Sequence, residues 1–166
     1  MLTEIHDPAE LLRGMLSPSP KPTLSLDDYP HLQRSLEILL PFLRESAATA
    51  RKGVNIFIYG PPGTGKSELA RLLALINGQQ LFEVACEDEE GDPVVGEKRL
   101  RSYRAAQNFL ARRPTFLLFD EVEDVFNDGS ELWGRKSTAQ ARKAWMNRML
   151  EENPVPAIWL SNTANG

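Results

Sequence analysis

Apolar residues come in four short runs along the chain, at 54–59, 81–85, 115–119 and 157–160. Each run is bounded by turn residues and is too short for a helix, so each predicts a strand. The run at 115–119 is apolar at every position after Thr115, the pattern of a strand buried on both faces. Between the runs the apolar positions recur every three or four residues instead. Leu32, Leu36, Leu39, Leu40 and Leu43 predict a helix over 31–50, which Pro41 should kink or split. Leu69, Leu72, Leu73 and Ile76 line one face of a helix running to about Asn77, with Gly78 placed to cap it. Leu100, Tyr103 and Leu110 point a third helix, over 97–112, inward, and Pro114 stops it. Ser137 and Gln140 form a candidate capping box for a fourth helix, with Ala141, Trp145 and Met149 on one stripe and Pro154 and Pro156 ending it. Strands alternating with helices predict an α/β fold, a three-layer sandwich on a mainly parallel sheet. Right-handed crossovers then gather the loops after the strands along one rim, where such sheets bind ligands.

Residues 1–30 lack this rhythm and read as an irregular arm, with room for a short helix over 8–15. Ser17-Pro18-Ser19-Pro20-Lys21-Pro22 is a proline-rich connector expected to stay extended. The α/β subdomain is expected over 31–166.

Composition narrows the class. The chain has 166 residues, 42% hydrophobic and 25% charged, which fits one domain with a sizeable core. A net charge of -4 argues against an overall nucleic-acid-binding surface, though not against a local basic patch. No apolar run approaches the ~20 residues of a membrane span, and the first seven residues lack the charge and apolar stretch of a signal peptide. Cys86 is the single cysteine, so no internal disulfide can form, and neighbouring metal ligands are missing. It reads as a passive small residue after a strand, and a reducing cytoplasm is the expected location.

One segment turns this architecture into chemistry. Gly60-Pro61-Pro62-Gly63-Thr64-Gly65-Lys66-Ser67 follows the first predicted strand and opens a helix. That spacing, in that context, makes a phosphate-binding loop. The glycines let a polyphosphate approach the backbone, and the amides of Gly63, Thr64, Gly65, Lys66 and Ser67 can point inward at a helix N-terminus. Pro61 and Pro62 donate no hydrogen bond and stiffen the start of the loop. Lys66 supplies a cation for the outer phosphates, and the Ser67 hydroxyl can ligate magnesium.

The rim holds two further candidates. Phe116-Leu117-Leu118-Phe119 runs into Asp120 and Glu121. Asp120, at the strand tip, can hold magnesium directly or through water, opposite Ser67, and Glu121 can polarise a water for attack on a γ-phosphate. Glu123 and Asp124 enlarge the acidic cluster and read as solvated or paired with nearby arginines. Asn162 follows the fourth strand. On spacing alone it is either a water-orienting amide or a turn-forming asparagine.

With these residues in place the chain resembles the AAA+ ATPases, ring-forming P-loop NTPases that couple ATP hydrolysis to remodelling of macromolecules. The resemblance covers roughly 24–162 and rests on the loop at 60–67, Leu117-Leu118-Phe119-Asp120-Glu121 and Trp159-Leu160-Ser161-Asn162. Val94-Val95-Gly96-Glu97 also looks like the segment before the family's second helix. The resemblance implies Lys66 and Ser67 as Walker A residues, Asp120 and Glu121 as the Walker B pair, and Asn162 as the first sensor. It implies ATP and Mg2+ as ligands, a ring of subunits in the full-length protein, and a sheet order of 5-1-4-3-2. The family's fifth strand, arginine finger and helical lid would follow Gly166, so the chain is expected to be the N-terminal part of a longer protein. Alone it should bind nucleotide and hydrolyse it slowly, since a trans arginine is worth about 10³–10⁵ in rate in related enzymes.

Three uses fit such a core. The first is remodelling of proteins. The second is a motor or clamp-loader-like ATPase on nucleic acid, for which Lys98, Arg99, Arg101, Arg104, Arg112 and Arg113 are the candidate surface, unless they form a solvated face or pair with the acidic turn at 87–92. The third is a nucleotide-dependent interaction switch with little turnover. The protein-remodelling reading is favoured, although 91–96 carries no aromatic of the kind that grips a polypeptide in a ring pore, and the Walker B segment continues Asp-Glu-Val-Glu where such members often have Asp-Glu-Ile-Asp. Residues 28–32 precede the first helix, where they either border the adenine base or simply pin the arm through Tyr29 and Leu32.

Overall fold

Successive side chains along each strand go to opposite faces of one sheet, and each face has its own core. The computed structural model describes residues 12–88, 90–94, 96–126 and 136–163, with backbone alone for 124, 126 and 136–142. Its strands are β1 (Leu16–Pro18), β2 (Asn55–Tyr59), β3 (Gln80–Val84), β4 (Thr115–Phe119) and β5 (Ala157–Ser161). Its helices are α1 (Gln33–Ala48), α2 (Lys66–Ile76), α3 (Gly96–Leu110), the short α4 (Glu123–Phe126) and α5 (Lys136–Glu152). Phe82, Val84, Leu117, Phe119, Ala157 and Trp159 pack with α3 and with Met146 of α5. Leu81, Phe116, Leu118, Ile158, Leu160 and Ile56 pack with Leu36 and Leu43 of α1 and the buried face of α2. The result is the expected three-layer sandwich. Among the described residues no helix is long and apolar enough to cross a membrane.

The sheet order is β1-β3-β4-β5-β2, parallel throughout except for β1. Without β1, and counting from β2, this is the 1-4-3-2 part of the order that the resemblance implied. The register pairs Tyr59 with Ser161, so β2 and β5 end at one level, while β4 ends at Phe119, opposite Trp159, two residues short of them. At its other end β5 is entered through a buried polar junction. The Gln107 amide donates to the Val155 carbonyl and accepts from the Val155 N–H, both at 2.8 Å, as a neighbouring strand would.

The arm is more ordered than its composition implies. Leu16–Pro18 forms an antiparallel edge strand on β3, opposite Val84, Glu83 and Phe82. Proline is tolerated there because an edge strand has one side with no ladder partner. A chain of polar contacts then ties the arm to α2. Ser19 Oγ donates to Glu83 (2.5 Å), Arg71 pairs with both Glu83 (3.2 Å) and Glu68 (2.7 Å), and Glu68 accepts the N–H groups of Thr23 and Leu24. Further along, Tyr29 is 3% exposed and Leu32 packs on the α1–α2 core, so both pin the arm.

Other expectations shift in detail. α1 is one continuous helix across Pro41 rather than two. Pro41 removes one N–H partner, from the Glu37 carbonyl, and both residues lie on the solvent side, where water can replace it. Gly78 caps α2 as expected, in the left-handed conformation (φ 65°). The basic helix divides: Arg99 is 1% exposed, while Arg101 pairs with Glu97 on its own helix rather than with the acidic turn. The expected start of a helix at Pro8, the loop at 127–130 and the side chains of Ser137, Gln140 and Ala141 lie outside the described residues.

The arm clamp carries a pH signature. Hydrogen bonds from the Thr23 backbone, then from the Arg71 side chain, lower the Glu68 pKa from the ordinary 4.5 to about 2. A depressed carboxylate stabilises the folded state fully above its unfolded value and loses that contribution as pH falls toward the folded one. The stability difference between wild type and Glu68→Gln should therefore be constant at neutral pH and shrink between 4.5 and about 2. Carboxyl NMR titration and paired denaturation curves read both, and a Glu68 midpoint near the ordinary value contradicts the clamp.

Candidate active site

Three rim loops meet at the ends of β2, β4 and β5, and each is shaped by identifiable residues. The loop after β2 begins with Gly60 N–H donating to Ser161 O of β5 (3.2 Å), which joins it to the third loop. Gly63 (φ 79°) and Gly65 (φ 81°) adopt left-handed conformations that a side chain disfavours. At Gly65 a Cβ would also lie 3.0 Å from the Tyr29 hydroxyl, which donates to Gly65 O (2.9 Å). Burial, then the charges of Glu68 and Asp28, push the Tyr29 pKa up, so its hydroxyl stays a donor. At Gly63 nothing lies within 4 Å of a would-be Cβ, so the loop faces open space there. Thr64 Oγ1 closes the turn on Pro61 O (2.8 Å). The Lys66 ammonium donates to Gly60 O (2.8 Å), Pro61 O (3.0 Å) and Asn162 Oδ1 (3.1 Å).

The second loop leaves β4. Asp120 Oδ2 lies 3.5 Å from Ser67 Oγ, long for a hydroxyl–carboxylate bond. Adjacent oxygens around an octahedral magnesium at about 2.0–2.1 Å are about 2.9 Å apart, so this pair would have to close by about half an ångström to share an ion. Among the described residues no cluster of three metal-ligating side chains exists.

Glu121 comes next, exposed and at φ 51°, an uncommon conformation for a residue with a side chain. The Arg99 guanidinium braces it from inside the fold. It donates to Asp120 O (2.5 Å) and Glu121 O (3.4 Å), contacts Cys86 Sγ (3.3 Å) and lies over the Phe119 ring (4.3 Å to the centroid). Sequence reasoning placed Arg99 among surface cations. The signal that could have shown its inward direction is its spacing of four residues to Tyr103 and seven to Ala106, on the apolar stripe.

The third loop carries Asn162, and here a second residue was missed. Glu123 is half-buried and, among the described residues, pairs with no arginine. Its Oε1 accepts from Ser161 Oγ (2.5 Å), from the Asn162 N–H and from the Thr163 N–H (3.2 Å). Burial alone raises its pKa, but the bonds from Ser161, its own backbone and the Asn162 and Thr163 amides outweigh it and hold the carboxyl below the ordinary glutamate value. The structure thus brings together Lys66, Ser67, Asp120 and Asn162, with Glu121 beside them at the rim.

Comparison with known proteins gives the family. The model of the ATPase family associated with various cellular activities (AAA) matches residues 56–165. The chain belongs to this AAA family. Its Gly60–Ser67 loop, Asp120 and Asn162 all fall inside the matched stretch. Similar relatives include ATPase family gene 2 protein homolog B of Bos taurus, 33% identical over 111 residues, covering 63% of this chain and 14% of that protein. The proteasome-associated ATPase of Mycobacterium avium (strain 104) is 31% identical over 133 residues, covering 63% and 22%. The ATP-dependent zinc metalloprotease FtsH of Aster yellows witches'-broom phytoplasma (strain AYWB) is 34% identical over 121 residues, covering 69% and 17%. The AAA chain described here therefore spans less than a quarter of the length of these relatives.

The brace has a measurable weight. Arg99→Ala should destabilise the AAA fold by about 3 kcal/mol, from lost packing plus buried carbonyls left without a donor. Chemical denaturation measures it. A loss below about 1 kcal/mol, the scale of a typical net hydrogen bond, would show that the guanidinium is not a structural brace.

Proposed function

We propose that this chain is the nucleotide-hydrolysing core of an AAA ATPase that turns ATP and water into ADP and phosphate to remodel proteins. The observation that carries the hydrolytic reading is the convergence of Lys66, Ser67, Asp120 and Asn162 from three separate loops, within 3.5 Å of one another in pairs. Loop amides from Gly63 to Ser67, together with Lys66, bind the phosphates. Ser67 and Asp120 hold magnesium, which when bound neutralises charge on the outer phosphates. Glu121 accepts the proton of the attacking water, and Asn162 Oδ1 orients it. Glu121 suits that task because it is exposed at the rim, directly after Asp120.

Protein as the substrate is supported by the company the chain keeps. Relatives include a proteasome-associated ATPase, a metalloprotease and the peroxisomal ATPase PEX6. The alternative of a nucleic-acid motor loses its main support with the burial of Arg99 and the pairing of Arg101 with Glu97, which break up the basic face of α3. Assembly into a ring is the working form that this reading implies.

Two substitutions test the hydrolytic assignment. Lys66→Ala should abolish binding of ATP and ADP in calorimetric titration. Glu121→Gln should leave nucleotide affinity unchanged and lower single-turnover hydrolysis by roughly 10²–10⁴, the usual worth of a general base. Unchanged hydrolysis in Glu121→Gln removes Glu121 from the reaction. Chelation of magnesium should remove hydrolysis in the wild type, and turnover that persists without a divalent cation contradicts the Ser67–Asp120 site.

A further inference from the structure

Among the described residues no regular secondary structure follows Ser161, yet Asn162 must keep its amide within reach of Lys66. What holds it is a single carboxylate oxygen. Glu123 opens α4, three residues after the β4 tip, and its Oε1 collects Ser161 Oγ, Asn162 N–H and Thr163 N–H. Two successive backbone amides and one hydroxyl converging on one anionic oxygen form a small nest, and charge-assisted bonds of this kind are about twice as strong as neutral ones. Thr163 N–H also donates to Ser161 Oγ (3.1 Å), so the turn closes around the carboxylate. Val122 N–H donates to Leu160 O (3.0 Å), which fixes the distance between the β4 and β5 ends on which the nest depends. Asn162 is thereby set so that its Oδ1 lies 3.1 Å from Lys66 Nζ.

We infer that Glu123 is a positioning residue: its carboxylate locks the 161–163 turn onto the end of β4, so that Asn162 is oriented at the phosphate loop and moves as one unit with Asp120 and Glu121. This rests on the reading of the site as an ATP hydrolase. Glu123 touches neither Lys66 nor the phosphate loop among the contacts described, so nucleotide affinity depends on it little. The alignment of Asn162 depends on it strongly. A displacement of about 1 Å at a reacting group can cost about 10²-fold in rate.

The test separates positioning from general stability. Glu123→Ala, Glu123→Gln, Asn162→Ala and the double variant Glu123→Ala/Asn162→Ala are compared for affinity, with a fluorescent ADP analogue, and for single-turnover ATP hydrolysis with the chain in excess. Glu123→Ala should slow hydrolysis about 10²-fold and leave affinity within about threefold, a loss confined to the chemical step. Glu123→Gln, which keeps an oxygen acceptor at the same reach, should recover part of the rate. The double variant should be no slower than Asn162→Ala, because both changes remove the same alignment. Unchanged hydrolysis in Glu123→Ala, affinity that falls in step with rate, or losses that multiply in the double variant each overturn the inference. If the wild type binds nucleotide without hydrolysing it, the hydrolase reading fails on its own. Amide exchange then decides the positioning: faster exchange at Asn162 and Thr163 in Glu123→Gln, with the rest of the fold protected, supports it, and unchanged exchange there overturns it.

Discussion

The parallel pairing of β5 with strands on both sides is the constraint from which the rest of this structure follows. β5 is buried along its whole length and lies between β2 and β4, so its register with each is set by side chains on two faces at once. A slip of one residue would send Ile158 and Leu160 into the wrong core and expose the pairing to Trp159 on the other side. The levels at which the three strands end, Tyr59 beside Ser161 and Phe119 beside Trp159, are therefore not adjustable. Three loops remote in the chain are held at one rim by the same hydrophobic burial that holds the core, and the site inherits its precision from the sheet.

Around that frame, polar groups do local work that apolar packing cannot. Arg99 crosses from α3 to the end of β4 and gives its guanidinium to two successive carbonyls at the point where Glu121 takes its left-handed turn. Burying a cation is expensive, and several acceptors together with the Phe119 ring face offset it. Glu123 does the matching task on the other side, as an anion gathering donors from the sensor loop. The two charges brace the same pair of strand ends from opposite directions. The arm adds a third tie through Glu68 and Tyr29, which fastens residues 23–29 to the first turn of α2 and so to the phosphate loop.

Much of this was legible in the chain. The apolar runs marked all four central strands to within a residue or two, because burial on two faces leaves little freedom in composition. The phosphate loop was legible because left-handed turns and an N-terminal nest demand glycine at particular spacings. Asp120 followed as the residue directly after a strand, while Asn162 stood open on spacing and was singled out only by the resemblance. β1 was not legible: three residues ending in proline have no periodicity, and only the exposed edge of β3 makes a strand of them. The continuity of α1 through Pro41 was not legible either, since it depends on which side of the helix faces water.

The amino-acid sequence by itself determined the class of fold and the residues able to handle a polyphosphate, since both follow from local patterns of burial and backbone conformation. What the charged residues do was decided only by tertiary structure. Arg99 and Arg101 are two residues apart on a helix with the same chemistry, yet one is buried against the β4 end and the other pairs in solvent. Glu123 looked like one more acid in a solvated cluster until β5 brought Ser161, Asn162 and Thr163 against it. A charge takes its role from partners distant in the chain, and no local pattern records where those partners will be.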